Sequence, residues 1–254
     1  MEVIINNPSN PGAHLTQNTI RMLEALYVFC EQHPDERINV QEKMADAGFN
    51  PNNVRNVLPL MGHLHFVEYS QLKNVNTSSL FTDRGCAYME TVLLEQEGEC
   101  STEIIQDLQE LRKSLIKGGL NYLLQDKSCR YWIYRRTLEY LLRFSMIDIK
   151  EFAYLIYAEK HGILISSGDF STTIEEYRQK AITIDTVVEV TDKKNSTRKT
   201  KKTGDNNLVA FSYVTGLIIE SGIAEIQNDY CILNEAAKDD LESILRGEYD
   251  EKSR

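Results

Sequence analysis

Nothing in the 254 residues is apolar over a length that could span a bilayer, and residues 1–20 have neither the basic start nor the apolar stretch of a secretory leader. Those absences predict a soluble, cytoplasmic protein with no membrane partner. Cysteine is scarce as well. Cys30, Cys86, Cys100, Cys129 and Cys231 are odd in number, widely spread and contain no C-x-x-C pair. A disulfide framework and a zinc ribbon are both disfavoured, and reduced, mostly buried thiols are expected. The usual catalytic signatures are missing too: no G-x-x-x-x-G-K-[ST], no H-E-x-x-H, no G-x-S-x-G and no glycine-rich dinucleotide turn. Neither catalysis by this chain nor a cofactor is therefore expected.

Two weaker strings of metal-site residues have plainer explanations. Asp185 followed by Asp192-Lys193-Lys194 has a metal-nuclease-like spacing, but a strand ending in a lysine-rich loop produces it easily. His63, His65 and Cys86 lack a fourth ligand, and an H-x-H at the end of a helix more often packs or faces solvent. No metal site is expected.

Net positive charge is also lacking. Against 38 Asp and Glu stand 28 Lys and Arg, a formal charge of -10. Binding depends on where the cations lie rather than on their sum. Acid gathers at Glu95, Glu97 and Glu99 and again at Glu248, Asp250 and Glu251. Base gathers at Arg112, Lys113, Lys117, Lys127, Arg130, Arg135, Arg136 and Arg143, and in the acid-free run Lys193 to Lys202.

What the chain does have is a clear order of elements. The hydrophobic share of 42% can build a real core in one large domain or two small ones. Residues 1–14 read as a flexible arm or a short strand. Ile20, Leu23, Leu26 and Tyr27 mark an amphipathic first helix over 15–31, Ile38 a short extended segment, and Val40 to Ala47 a second helix ended by Gly48. A third helix opens at Asn50-Pro51, a cap and a residue pre-set for the first turn. Its residues Val54, Val57, Leu58, Met61 and Leu64 recur at helical spacing and should face the core. The opposite face then shows Asn52, Asn53, Arg55 and Asn56, while Pro59 should kink or end the helix. Phe66 to Tyr69 and Ser79 to Phe81 read as a hairpin around a turn at Asn74 to Ser79. A helix capped by Thr82 or Asp83 follows.

Beyond Ser101, a helical stripe of Ile104, Leu108, Leu111 and Leu115 should be core or a dimerisation surface, with an interruption at Gly118-Gly119. The third block echoes the first: helices at 149–160, 171–180 and 208–221, a hairpin turning at Asn228-Asp229, and a capped helix from Glu235. The expected organisation is a module at 1–98, a helical linker at 99–146 and a second module at 147–254. A basic insertion lies at about 181–207.

In that order of elements residues 16–94 resemble the winged helix-turn-helix superfamily. The pair of such modules joined by helices resembles, more weakly, the target-recognition region of type IIS and nicking restriction endonucleases. The resemblance implies a mainly α fold with small β-hairpin wings, in two winged-helix-like modules. It also implies a third helix in the major groove, with Asn52, Asn53, Arg55 and Asn56 at base edges. The wing, at Lys73, Asn74, Asn76 and Thr77, would touch the DNA backbone or the minor groove. Lys193, Lys194, Arg198, Lys199, Lys201 and Lys202 add a uniform cationic stretch suited to phosphates. The expected function is non-catalytic binding of double-stranded DNA, as a regulator or as the recognition component of a restriction or defence complex. The alternative is a winged-helix scaffold holding a protein partner or a second copy, a use many members of the superfamily have adopted.

Overall fold

The computed structural model describes residues 1–8, 15–69, 72–96, 101–125, 131–191, 199–205 and 208–250. Among these the chain is mainly helical, with small sheets and no helix long and apolar enough to cross a membrane. It divides into two compact units. The first unit is residues 12–128 with 220–222 and 243–254; the second is 1–11, 129–219 and 223–242. The expected boundaries at 98 and 146 are not where the chain divides, and the expected linker at 99–146 is shared between the units.

The chain begins with strand β1, Glu2–Asn6, which belongs to the second unit. The first unit then starts with α1, Gln17–Gln32, capped by the Thr16 hydroxyl on the Thr19 amide at 3.2 Å. Strand β2, Arg37–Ile38, leads to α2, Val40–Asp46, and α3, Pro51–His63. Buried Met22, Leu23 and Leu26 of α1 and Met44 of α2 form a core with the apolar stripe of α3. Pro59 does not end α3: the ladder resumes beyond it, with the Leu64 amide on the Leu60 carbonyl at 2.9 Å. The carbonyl that loses its partner is that of exposed Arg55, where water can take up the bond.

The expected hairpin after α3 is reduced. Val67 and Phe81 form a single antiparallel bridge, and β3, Val75–Asn76, pairs with β2 instead. A 3₁₀ turn at Thr77–Ser79 leads to α4, Asp83–Gln96, whose first turn is capped by Thr82. α5, Thr102–Gln125, runs unbroken through Gly118 and Gly119. Both glycines are buried, and at Gly119 an added Cβ would lie 3.0 Å from the Leu64 carbonyl oxygen. Missing side chains here let α5 close on the end of α3, a packing role that a sequence pattern shows only as an interruption.

In the second unit α6, Trp132–Phe144, ends on left-handed Ser145 and gives way to β4, Met146–Ile147. α7, Ile149–Lys160, and α8, Gly168–Arg178, follow. The basic insertion contains two strands, β5 at Asp185–Thr191 and β6 at Lys199–Thr203. β5 is the middle of a three-stranded sheet, parallel to β1 (Glu2 opposite Asp185) and antiparallel to β6 (Glu189 opposite Lys201). Val3 and Ile5 of β1 are fully buried, so residues 2–6 are a core strand rather than a loose arm. Then come α9, Ala210–Glu220, the hairpin of β7, Ala224–Gln227, and β8, Tyr230–Leu233, and α10, Lys238–Arg246. The hairpin turns at Asn228 and Asp229, whose φ of 51° and 67° suit a two-residue connection.

The two units share an order. In the first it runs α1, β2, α2, α3, a one-bridge return, β3, 3₁₀ turn, α4. In the second it runs α6, β4, α7, then α9, β7, β8, 3₁₀ turn and the start of α10, whose residues 243–246 are counted with the first unit, and α8 and the β5–β6 pair are inserted. β2 pairs with β3 as β4 pairs with β8, Met146 opposite Ile232. The echo expected in the sequence therefore starts one helix earlier than 149. α6, assigned there to the linker, stands where α1 stands.

Candidate nucleic-acid interface

α3 is fixed at both ends. The Asn50 side chain accepts from the Asn52 amide at 3.0 Å, and Gln41 of α2 donates to the Pro51 carbonyl at 3.1 Å. At the other end, Arg84 donates to the Leu64 carbonyl at 3.2 Å and the Thr82 hydroxyl to the His65 carbonyl at 2.7 Å. His65, in the left-handed region at φ 59°, stacks on Tyr122 with ring centroids 4.6 Å apart. Between these anchors Val54, Val57, Leu58, Leu60, Met61 and Leu64 are buried. Asn52, Arg55 and Asn56 are exposed and Asn53 is half-buried on the opposite face. Those four side chains carry amide donors, amide acceptors and one guanidinium, the chemistry that bidentate base contacts use.

The wing residues separate into two groups. Lys73 and Asn74 are exposed, Asn74 at φ 57°. Thr77 is not available to a phosphate. The Asn76 carboxamide oxygen caps the Ser78 amide at 3.2 Å and accepts from the Ser78 hydroxyl at 3.0 Å. Thr77 is 3% exposed, and its hydroxyl donates to the His33 carbonyl at 2.6 Å while accepting from the Glu36 amide at 3.0 Å. Thr77 thus holds the 33–36 turn, and its polarity serves the fold.

Of the six lysines and arginines in the basic run, Lys193, Lys194 and Arg198 lie outside the described residues. Lys199, Lys201 and Lys202 are on β6, opposite Thr191, Glu189 and Val188. The other basic stretch is largely paired. Arg112 bonds Glu95 at 2.6 Å and the Thr91 carbonyl at 3.1 Å. Arg136 bonds Glu139 and Glu159, both at 2.8 Å, and Arg143 bonds the Ser171 hydroxyl at 3.0 Å.

The helix α9 has a different chemistry from α3. From Leu208 to Ala237 there is no Lys, Arg or His, against Glu220, Glu225, Asp229 and Glu235. Val209 and Ile226 are 49% and 55% exposed. That stretch supplies no cation of its own to exchange for the counterions of a phosphate backbone.

The densest polar cluster was not foreseen from the sequence. Asp148 caps α7, accepting from the Glu151 amide at 2.7 Å, while the Glu151 carboxylate accepts from the Asp148 amide at 3.1 Å. Arg178 donates to Glu151 at 2.6 Å and 3.3 Å and to the Phe144 and Met146 carbonyls at 3.2 Å and 2.6 Å; Tyr177 donates to the other Asp148 oxygen at 2.7 Å. Glu151 is fully buried, and burial raises its pKa against the pull of Arg178. The D-x-x-E spacing of a capping box was the available signal. Every partner of this cluster is a helix end or a strand start, so it orders α7, α8 and β4. It leaves no free carboxylate for chemistry.

Among the described residues no three His, Cys, Asp or Glu side chains converge to hold a metal ion. Asp185 pairs through its backbone on β5, whereas Asp192, Lys193 and Lys194 lie outside the described residues. No protein-family model, no curated protein and no solved structure matches this chain.

Proposed function

We propose that this chain is a non-catalytic, cytoplasmic duplex DNA-binding protein in which two winged-helix-like modules are present and the first does the reading. The single observation carrying this is the division of α3: one face is wholly buried and the other presents Asn52, Asn53, Arg55 and Asn56. The element order around it, with β2 paired to β3, agrees with a helix of this kind entering the major groove. Lys73 and the run from Lys193 to Lys202 would supply phosphate attraction that α3, with one cation, lacks. A regulator and the recognition component of a restriction or defence complex are both compatible with that arrangement.

A second reading, a protein-holding scaffold, is favoured by the cation-free, partly apolar α9 and β7–β8 surface. One molecule can serve both, DNA on the first unit and a protein on the second. Gel-shift titration of a random duplex pool at low salt tests the DNA part. Binding that falls steeply with added salt is expected from counterion release. No shift at any protein concentration removes DNA and leaves the scaffold.

A further inference from the structure

The apolar stripe of α5 was expected to be core or a dimerisation surface, and its first half is uncovered. No side chain from Thr102 to Ser114 is buried; Ile104 and Leu111 are 49% and 47% exposed, and Leu108 is half-buried. Burial begins at Leu115 and continues through Ile116, Leu120, Leu123 and Leu124. The exposed segment is a little over three turns, a length at which a helix in water is only marginally stable without tertiary packing. It is tied to α4 by Arg112 and by the 2.9 Å bond from Gln109 to Glu95, and at its end the Lys113 stem lies against Gly222 and the Ser114 hydroxyl is 3.1 Å from that of Tyr249. Ile104, Leu108, Leu111 and Leu115 step by four, three and four residues, the spacing of a coiled-coil seam.

Charge indicates what covers the seam. Glu103, Asp107 and Glu110 occupy the first half of α5 with no cation among them, and Arg112, Lys113 and Lys117 follow with no acid up to Gln125. A parallel copy of this helix would set acid against acid. An antiparallel copy centred on Leu108 sets Glu103 of each helix against Arg112 and Lys113 of the other, and a two-fold axis repeats the contact. The Lys113 ammonium pairs with Glu110, an exposed i,i+3 pair that exchanges partners at little cost, while its stem lies against Gly222.

We infer that the first half of α5 is a homodimer interface, on which a second copy of this chain packs antiparallel through Ile104, Leu108 and Leu111. Dimerisation of this kind is independent of DNA binding and is measured without DNA. Sedimentation velocity of the full chain over a wide concentration range is the test. The wild type should pass from monomer to dimer as concentration rises. Ile104→Glu with Leu111→Glu should remain monomeric with an unchanged far-ultraviolet circular dichroism spectrum. Leu164→Glu, at a 62% exposed leucine of the second unit, should dimerise as the wild type does.

Should the α5 double variant unfold, charge gives a second readout at the exposed Glu103 and the half-buried Lys113. Glu103→Lys should weaken the dimer severalfold, and adding Lys113→Glu should restore it. A wild type monomeric at every concentration overturns the proposal. So does a dimer that survives the α5 double variant, or a charge exchange without effect.

Discussion

At Gly85 an added Cβ would come within 1.8 Å of the Phe66 carbonyl oxygen and 2.8 Å of its carbon, whereas at Gly119 the nearest atoms stand at 3.0–3.3 Å. A carbonyl oxygen is nearest at both, but at Gly85 it must move by more than 1 Å and at Gly119 by a few tenths, which makes these two glycines unequal. Alanine gains roughly 0.5–1 kcal/mol of helix propensity at either site. At Gly119 a small shift of Leu64 offsets that gain, so Gly119→Ala should change stability little. Gly85→Ala has to displace main chain and should lower stability by about 1–3 kcal/mol, read from the denaturant midpoint. An equal effect at both sites would contradict the packing described. The thiols give a second expectation at this scale. Burial pushes Cys30 and Cys231 up to about 12, so almost no thiolate exists near neutrality. Mass spectrometry after brief treatment with a thiol reagent should find both unlabelled in the native protein and labelled in denaturant. Labelling of either as fast as in the denatured chain would mean that its site opens readily.

Residue-scale properties were legible where they are periodic. The two faces of α3 follow from a 3.6-residue repeat, and Asn50-Pro51 announces its start. Thr77 was not legible, because its partners His33 and Glu36 lie more than forty residues away and nothing local marks them.

Elements proved harder than residues wherever their definition is tertiary. β4 is two residues long and exists because Met146 and Ile147 meet β8, more than eighty residues later. Without that pairing α6 reads as linker, and the repeat starts in the wrong place. β6 was hidden by its lysines, which suit a solvated loop until the β5 strand beside them is known. The hydrogen bonds of Arg178 make a testable claim about elements. This one side chain holds Glu151 and two carbonyls between α6 and α7. Arg178→Ala leaves a buried carboxylate without its cation and should destabilise by about 3–5 kcal/mol. Pairing it with Glu151→Gln should recover part of that loss, because the charge goes with the cation. A single variant as stable as the wild type would show that the cluster does not order these helix ends.

At the scale of the whole molecule, the charge of -10 is uneven. α3 presents amides and an arginine, and the stretch from Leu208 to Ala237 presents only acids and uncharged groups. Two units with the same element order thus offer different surfaces, which composition averages away. Selection of duplexes from a fully randomised pool, carried out side by side for the wild type and for a variant with Asn53→Ala and Asn56→Ala, most directly tests whether α3 reads DNA. The wild type should enrich a recurrent base pattern. The variant should lose that preference, each bidentate contact being worth roughly 1–3 kcal/mol of discrimination, while still binding unselected duplex at low salt. The same pattern enriched by both proteins, or by neither, would contradict the assignment of α3 as the reading element.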